Sequence, residues 1–274
     1  VAEPAEIDKG QTVQRLVDEW AVLEELLGGL SEEEWARPAL PGWDVHDVVA
    51  HVVGGELVLS GTPRPELDEQ EVLGDHVKNE IARWNEAWIR QLRALSHAEL
   101  LDRFRQVTGA RAAALRAMTE EEFAAPSWTP AGPGSYGRFM QLRLFDAWMH
   151  EQDIRTATGH PGHEDGPEAE ASLDEVVGAL GYIVGKRAGL GQGTTVTLRL
   201  TGPVRRDLHV AVEQRAAVVD GLDGPATVTV SLPSSLFLRL AGGRVEPEAV
   251  LDQVALEGDR AQGRQLVTHL AYTI

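Results

Sequence analysis

The 274-residue chain has no cysteine. That absence excludes disulfides, cysteine-ligated zinc, iron–sulfur clusters and a protein thiol nucleophile. Any metal must sit on histidines and carboxylates, and any thiol chemistry must use a thiol brought from outside. Positive charge is scarce as well: 25 Lys and Arg face 43 Asp and Glu, a formal net charge of -18. Nucleic acids and anionic membranes require basic patches, so neither is expected as a partner. Lysine itself is rare, with only Lys9, Lys78 and Lys186, a bias typical of GC-rich coding sequence. Long apolar runs are missing, and nothing approaches the roughly 20 residues of a membrane-spanning helix. Residues 1–10 lack the apolar stretch of a signal peptide, so the expected location is the cytoplasm. Nucleotide-binding glycine loops and the G-x-S-x-G elbow are absent too.

What is present is an ordinary globular composition, 43% hydrophobic, on a chain long enough for two domains. Charge divides it unevenly. Residues 1–190 carry 34 acidic and 17 basic side chains, whereas residues 191–274 carry 9 and 8. The texture changes at the same place, from helical periodicity to short alternating runs of Val, Thr and Leu. Gly189, Gly191 and Gly193 mark a loop there. The expected domains are 1–190, a helical bundle, and 191–274, a small α+β domain.

In the first part, over residues 6–29, Val13, Leu16, Val17, Trp20, Leu23 and Leu27 recur at helical spacing. A second helix starts after Pro41-Gly42, with Asp44 as N-cap and Asp47 three residues on; Gly54-Gly55 is expected to weaken or bend it. Further helices are expected over 68–95, 97–118, 136–158 and 167–189, with Gly159 and Pro161 stopping the one over 136–158. Glu32 to Glu34 and Glu120 to Glu122 read as solvated helix starts. In the second part, strands are expected at 195–200, 207–213, 216–219 and 226–230, and helices at 234–240 and 260–270.

Two features organise the histidines. On the second helix, His46 and His51 are five residues apart, about 140° around the axis, so they do not chelate one ion together. His51 sits among Val48, Val52 and Val53 and is expected to look inward. On the 136–158 helix, Asp146 and His150 are four residues apart and share a face. Alone, each feature has a plainer meaning, a core histidine and an intrahelical ion pair. Together they match how bundles build metal centres from inward-facing groups on different helices. His51, Asp146 and His150 would give three ligands and leave coordination positions open, as in a catalytic site. Asp153, three residues after His150, could orient it.

These residues also resemble a known family. The run Pro41-Gly42-Trp43-Asp44-Val45-His46-Asp47-Val48-Val49-Ala50-His51 resembles the opening signature of the mycothiol-dependent maleylpyruvate isomerase family, in the DinB-like superfamily. Phe145 to Arg155, followed by Gly159-His160-Pro161, is similar to its second signature. Leu240 to Arg244 and Leu256 to Arg260 are similar to its C-terminal domain. The resemblance implies a DinB-like four-helix bundle followed by a sterol-carrier-like α+β domain. It also implies a divalent metal, usually zinc, that binds the thiol cofactor mycothiol and activates it as thiolate. The family's ligands fall on His51, Asp146 and His150, with Asp146 one methylene shorter than the usual Glu.

The implied function is a metal- and thiol-dependent isomerase or S-transferase acting on a small electrophile. Such a substrate's carbonyl or carboxylate needs a cationic partner. Arg244 is the candidate, because Gly242-Gly243 leaves room for close approach; a solvent-exposed turn arginine is the plainer reading. Arg83, Arg143 and Arg155 follow behind it. The alternative is a non-catalytic protein that binds a small molecule and carries a degenerate metal site.

Overall fold

The computed structural model describes residues 7–68 and 73–273. These form two compact units, Val1–Gly162 and His163–Ile274. The first contains α1 (Lys9–Gly29), α2 (Glu32–Trp35), β1 (Pro38–Leu40), β2 (Trp43–Asp44), α3 (Val45–Leu59), α4 (Glu80–Leu92), α5 (His97–Ala117), α6 (Glu120–Ala124), β3 (Pro126–Thr129), β4 (Gly132–Ser135) and α7 (Tyr136–Thr158).

Helices α1, α3, α5 and α7 are the frame of a bundle. α1 packs on α5 and α7, α3 packs on the same two, and α4 lies against α3. The apolar stripe expected on α1 is its buried face, apart from half-buried Val17. α3 starts where its capping chemistry says. Asp44 accepts from the Asp47 amide at 2.9 Å, and Asp47 answers to the Asp44 amide. The acidic triplets open α2 and α6, capped by Ser31 and Thr119. α7 ends on Gly159, whose φ of 78° lies in the left-handed region that glycine adopts without strain.

Gly54 and Gly55 lie within α3, which continues to Leu59. They allow close approach: a Cβ on Gly54 would lie 2.6 Å from Trp88 Cβ, and one on Gly55 would lie 2.9 Å from Arg143 Nη2. Two further points differ from the sequence reading. The helix expected over 68–95 begins only at Glu80, and residues 69–72 of that span lie outside the described residues. Two short hairpins, β1–β2 and β3–β4, were not expected.

The second unit contains α8 (Gly166–Tyr182), a π turn at Ile183–Arg187, β5 (Thr195–Thr201), β6 (Arg206–Val212), β7 (Ala216–Val219), β8 (Val228–Pro233), α9 (Ser234–Ala241), a 3₁₀ turn at Pro247–Gln253, β9 (Ala255–Gly258) and α10 (Arg260–Thr268). Its sheet has the order β7-β6-β5-β8-β9, with β5 and β8 parallel and the other pairs antiparallel. The alternation in β8 is plain: Val228, Val230 and Leu232 are buried and the residues between them are half-buried.

The units divide between Gly162 and His163, earlier than the change in texture at 190/191. The reason is α8. It packs on β6, β7 and α9. Gly181 brings its backbone so close that a Cβ would stand 2.7 Å from the Ala216 carbonyl oxygen. The glycines at 189, 191 and 193 are therefore a turn inside the second unit. Among the described residues, no helix is long and apolar enough to cross a membrane.

Candidate metal centre

His51 comes from the middle of α3, and Asp146 and His150 from successive turns of α7, which packs against it. The structure brings the three together. His51 Nε2 lies 3.4 Å from Asp146 Oδ2, and His150 Nε2 lies 3.7 Å from Asp146 Oδ1. The imidazole centroids are 4.7 Å apart, and one ligand atom from each residue falls within 4.8 Å of the other two.

The electrostatics prepare these groups to donate lone pairs. Burial pushes the His51 imidazole below its ordinary pKa, against the pull of Asp146, so the ring is neutral. Its Nε2 is buried and meets no hydrogen-bond partner among the described residues. His150 Nδ1 is 3.1 Å from Asp153 Oδ2. With Asp153 accepting from Nδ1–H, the lone pair of His150 falls on Nε2, the nitrogen that faces Asp146. Burial pushes the Asp146 carboxyl up, but Arg143 and the two histidines outweigh it and hold it well below the usual carboxylate range. Its side chain keeps 32% exposure, so the cluster has one open edge.

Behind the trio runs a buried ionic chain. Arg143 Nη1 donates to Asp146 Oδ2 at 2.7 Å, and Arg143 Nε donates to Glu56 Oε1 at 2.9 Å. Glu56 is fully buried and accepts from Arg111 Nε at 2.9 Å through its other oxygen. Burial opposes the Arg143 charge, but Asp146 and Glu56 overcome it and raise its pKa. Above the histidines lies Trp43, 5.4 Å from His51 and 6.4 Å from His150 between ring centroids. Its indole N–H donates to Glu86 Oε1 at 2.7 Å, and His76 Nε2 meets the same oxygen at 2.9 Å.

This donor set fits a divalent ion. Two imidazoles and one carboxylate suit zinc and its neighbours, and three protein ligands leave positions free for other ligands. A buried imidazole nitrogen that makes no hydrogen bond has a lone pair available to such an ion.

The mycothiol maleylpyruvate isomerase N-terminal domain matches residues 16–155, and the C-terminal domain of the same family matches residues 170–265. The chain belongs to the mycothiol maleylpyruvate isomerase family. The two matched ranges bracket the seam between the units, and the first contains all three clustered residues. Two solved structures are similar to this family member in fold. A crystal structure of the mycothiol-dependent maleylpyruvate isomerase has a TM-score of 0.60 at 18% identity, covering 91% of this chain and 93% of the other. A histidine-to-alanine mutant of that enzyme has a TM-score of 0.59 at 17% identity with the same coverage. No curated protein matches the chain.

The other arginines that the sequence offered have contacts of their own in this family member. Arg244 belongs to the second unit, and its Nη1 donates to the Gly242 carbonyl at 2.8 Å. Arg155 is engaged by Glu151 and the His160 carbonyl, and Arg83 by the Asp68 carbonyl. The cation beside the trio is Arg143, a lesser candidate in the sequence. His46 turns away, with Nε2 3.1 Å from the Leu95 carbonyl oxygen. Sequence reasoning missed Glu56, Arg111, Glu86 and His76, and took Trp43 only as part of a signature. The one local signal for Glu56 was its place directly after Gly54-Gly55.

Proposed function

We propose that the chain is a metal- and thiol-dependent enzyme in which His51, Asp146 and His150 hold a divalent cation, zinc in the first instance. Its thiol cofactor or co-substrate would be mycothiol, and its substrate a small electrophile. The cation, when bound, would supply a Lewis-acid position at which a coordinated thiol is held as thiolate near neutral pH. The single observation that carries this reading is the convergence of the three side chains around His51 Nε2, a buried nitrogen without a hydrogen bond.

The chain's own residues have separable tasks in this scheme. Burial keeps His51 neutral and able to donate its lone pair. Asp153 fixes the His150 tautomer. Asp146 contributes the one negative charge among the three ligands, and Arg143 offsets it from behind. Trp43 lies against both imidazoles and limits water on that side. For an anionic group on the substrate the sequence pointed to Arg244. Arg244→Ala tests that role by a raised KM at unchanged metal content.

The deciding experiment is elemental analysis of protein purified without chelators, followed by titration with mycothiol. About one equivalent of metal is expected, and thiol binding that needs it. His51→Ala and His150→Ala should lose both while staying folded. A wild-type protein that neither carries nor takes up metal would overturn the reading. Thiol stoichiometry then separates the two reaction classes. An isomerase returns the thiol after each turnover, whereas an S-transferase consumes one per product.

A further inference from the structure

The ionic chain behind the trio spans three helices. Glu56 on α3 accepts one guanidinium from α5 and another from α7, each at 2.9 Å. Arg111 continues outward to the Tyr136 hydroxyl at 2.8 Å, and Arg143 continues inward to Asp146 Oδ2 at 2.7 Å. Arg143 is seated against Gly55, where any Cβ would stand 2.9 Å from its Nη2. Two cations and two anions therefore alternate in one line, and three of the four are almost completely buried. Stability alone is a poor reason for such an array, because apolar side chains of the same volume generally serve a core as well or better. The array terminates on the one carboxylate of the trio, which points to a task there.

We propose that Glu56, acting through Arg143, is a positioning residue that fixes the Asp146 carboxylate with a single oxygen available to the metal. The proposal rests on the reading that the trio binds a divalent cation. Its logic has two parts. An aspartate side chain is short, and a free carboxylate can rotate to offer both oxygens or neither. Arg143 occupies Oδ2, the oxygen that also lies 3.4 Å from His51 Nε2, and leaves Oδ1 on the side of His150. A guanidinium next to a dication also opposes its binding, and Glu56 offsets that positive charge without touching the ligands.

Cobalt(II) is a suitable probe because its visible absorption reports ligand number and geometry as well as occupancy. The full-length wild type, Glu56→Gln and Arg143→Lys would be titrated with cobalt. Lys keeps the charge at 143 but reaches only one carboxylate at a time. Both variants should bind cobalt about 10- to 100-fold more weakly, with an altered spectrum, as for loss of other groups that orient metal ligands. If Glu56→Gln fails to fold, Arg111→Met combined with Glu56→Gln decides, since it leaves no more buried cations than carboxylates. Arg143 then has only Asp146 as a carboxylate partner, and the same weakening is expected. Folded variants with wild-type affinity and spectrum would overturn the proposal while the metal reading stands. A wild type that takes up no cobalt would overturn both.

Discussion

Alanine in place of Gly54 tests why α3 carries a glycine pair in its middle. The new Cβ would lie 2.6 Å from Trp88 Cβ and 2.7 Å from its Cγ. Carbon atoms in contact rest about 3.5–4.0 Å apart, so the overlap is roughly 1 Å. The atoms met are the root of the Trp88 side chain, which cannot swing aside without moving α4. Overpacking of this kind costs about 1–3 kcal/mol, and two contacts this short put it near the upper end. Alanine returns up to about 1 kcal/mol as a better helix former. The net loss is about 2 kcal/mol. For a unit the size of Val1–Gly162, that lowers Tm by about 4–8 °C. Gly109, exposed on α5, has nothing within 4 Å of its would-be Cβ. Gly109→Ala should gain up to about 1 kcal/mol and raise Tm. Thermal unfolding of the full chain followed by far-UV circular dichroism measures both. The same substitution should act with opposite sign on the two helices. If Gly54→Ala melts at or above the wild-type temperature, close packing is not what the glycine is for.

Asp153→Asn keeps its shape but loses the charge that holds the His150 Nδ1 proton. Metal affinity should fall about 10- to 100-fold, and an unchanged titration would contradict the role given to Asp153. Trp43→Phe keeps a ring over the histidines but removes a donor from the buried Glu86 carboxylate. Chemical denaturation should register a loss of about 1.5–3 kcal/mol. Burial lowers the pKa of His46 from its ordinary value of 6.5, against the hydrogen bond to the Leu95 carbonyl. The unfolded chain then takes up that proton first as the pH falls. Stability should decline on acidification below about pH 6.5, by at most about 1.4 kcal/mol per pH unit from this group, and be flat above it. His46→Gln should reduce that slope when stability is measured across pH.

The legible parts of this protein were those written locally. α7 begins and ends where its periodicity and Gly159 put it, and α3 begins at the Asp44 box. The Asp146–His150 spacing places both groups on one face of one helix, and the apolar run around His51 turned that residue inward. The illegible parts depend on partners distant in sequence. Glu56 is an acid in the apolar second half of α3, and only the arrival of Arg111 and Arg143, 55 and 87 residues away, makes it a buried relay. α8 reads as one more bundle helix because amphipathicity does not say whether a helix or a sheet will cover it. Its true partner, Ala216, lies beyond the linker-like glycines. β9 is too short to alternate visibly and is specified by its register with β8.

The placement of α8 fixes where this gene can be cut or recombined. A fragment ending at residue 190 would carry Leu173, Val176 and Leu180 into water without the strands that bury them, a sticky helix on an otherwise finished bundle. The joint that respects both cores is the short stretch after α7. There Gly159, Gly162 and His163 adopt φ of 78°, 150° and 55°. Any exchange that grafts a different second unit onto this bundle must take α8 along with the sheet, so the inheritable module begins at or before Gly166, well ahead of its first strand at Thr195.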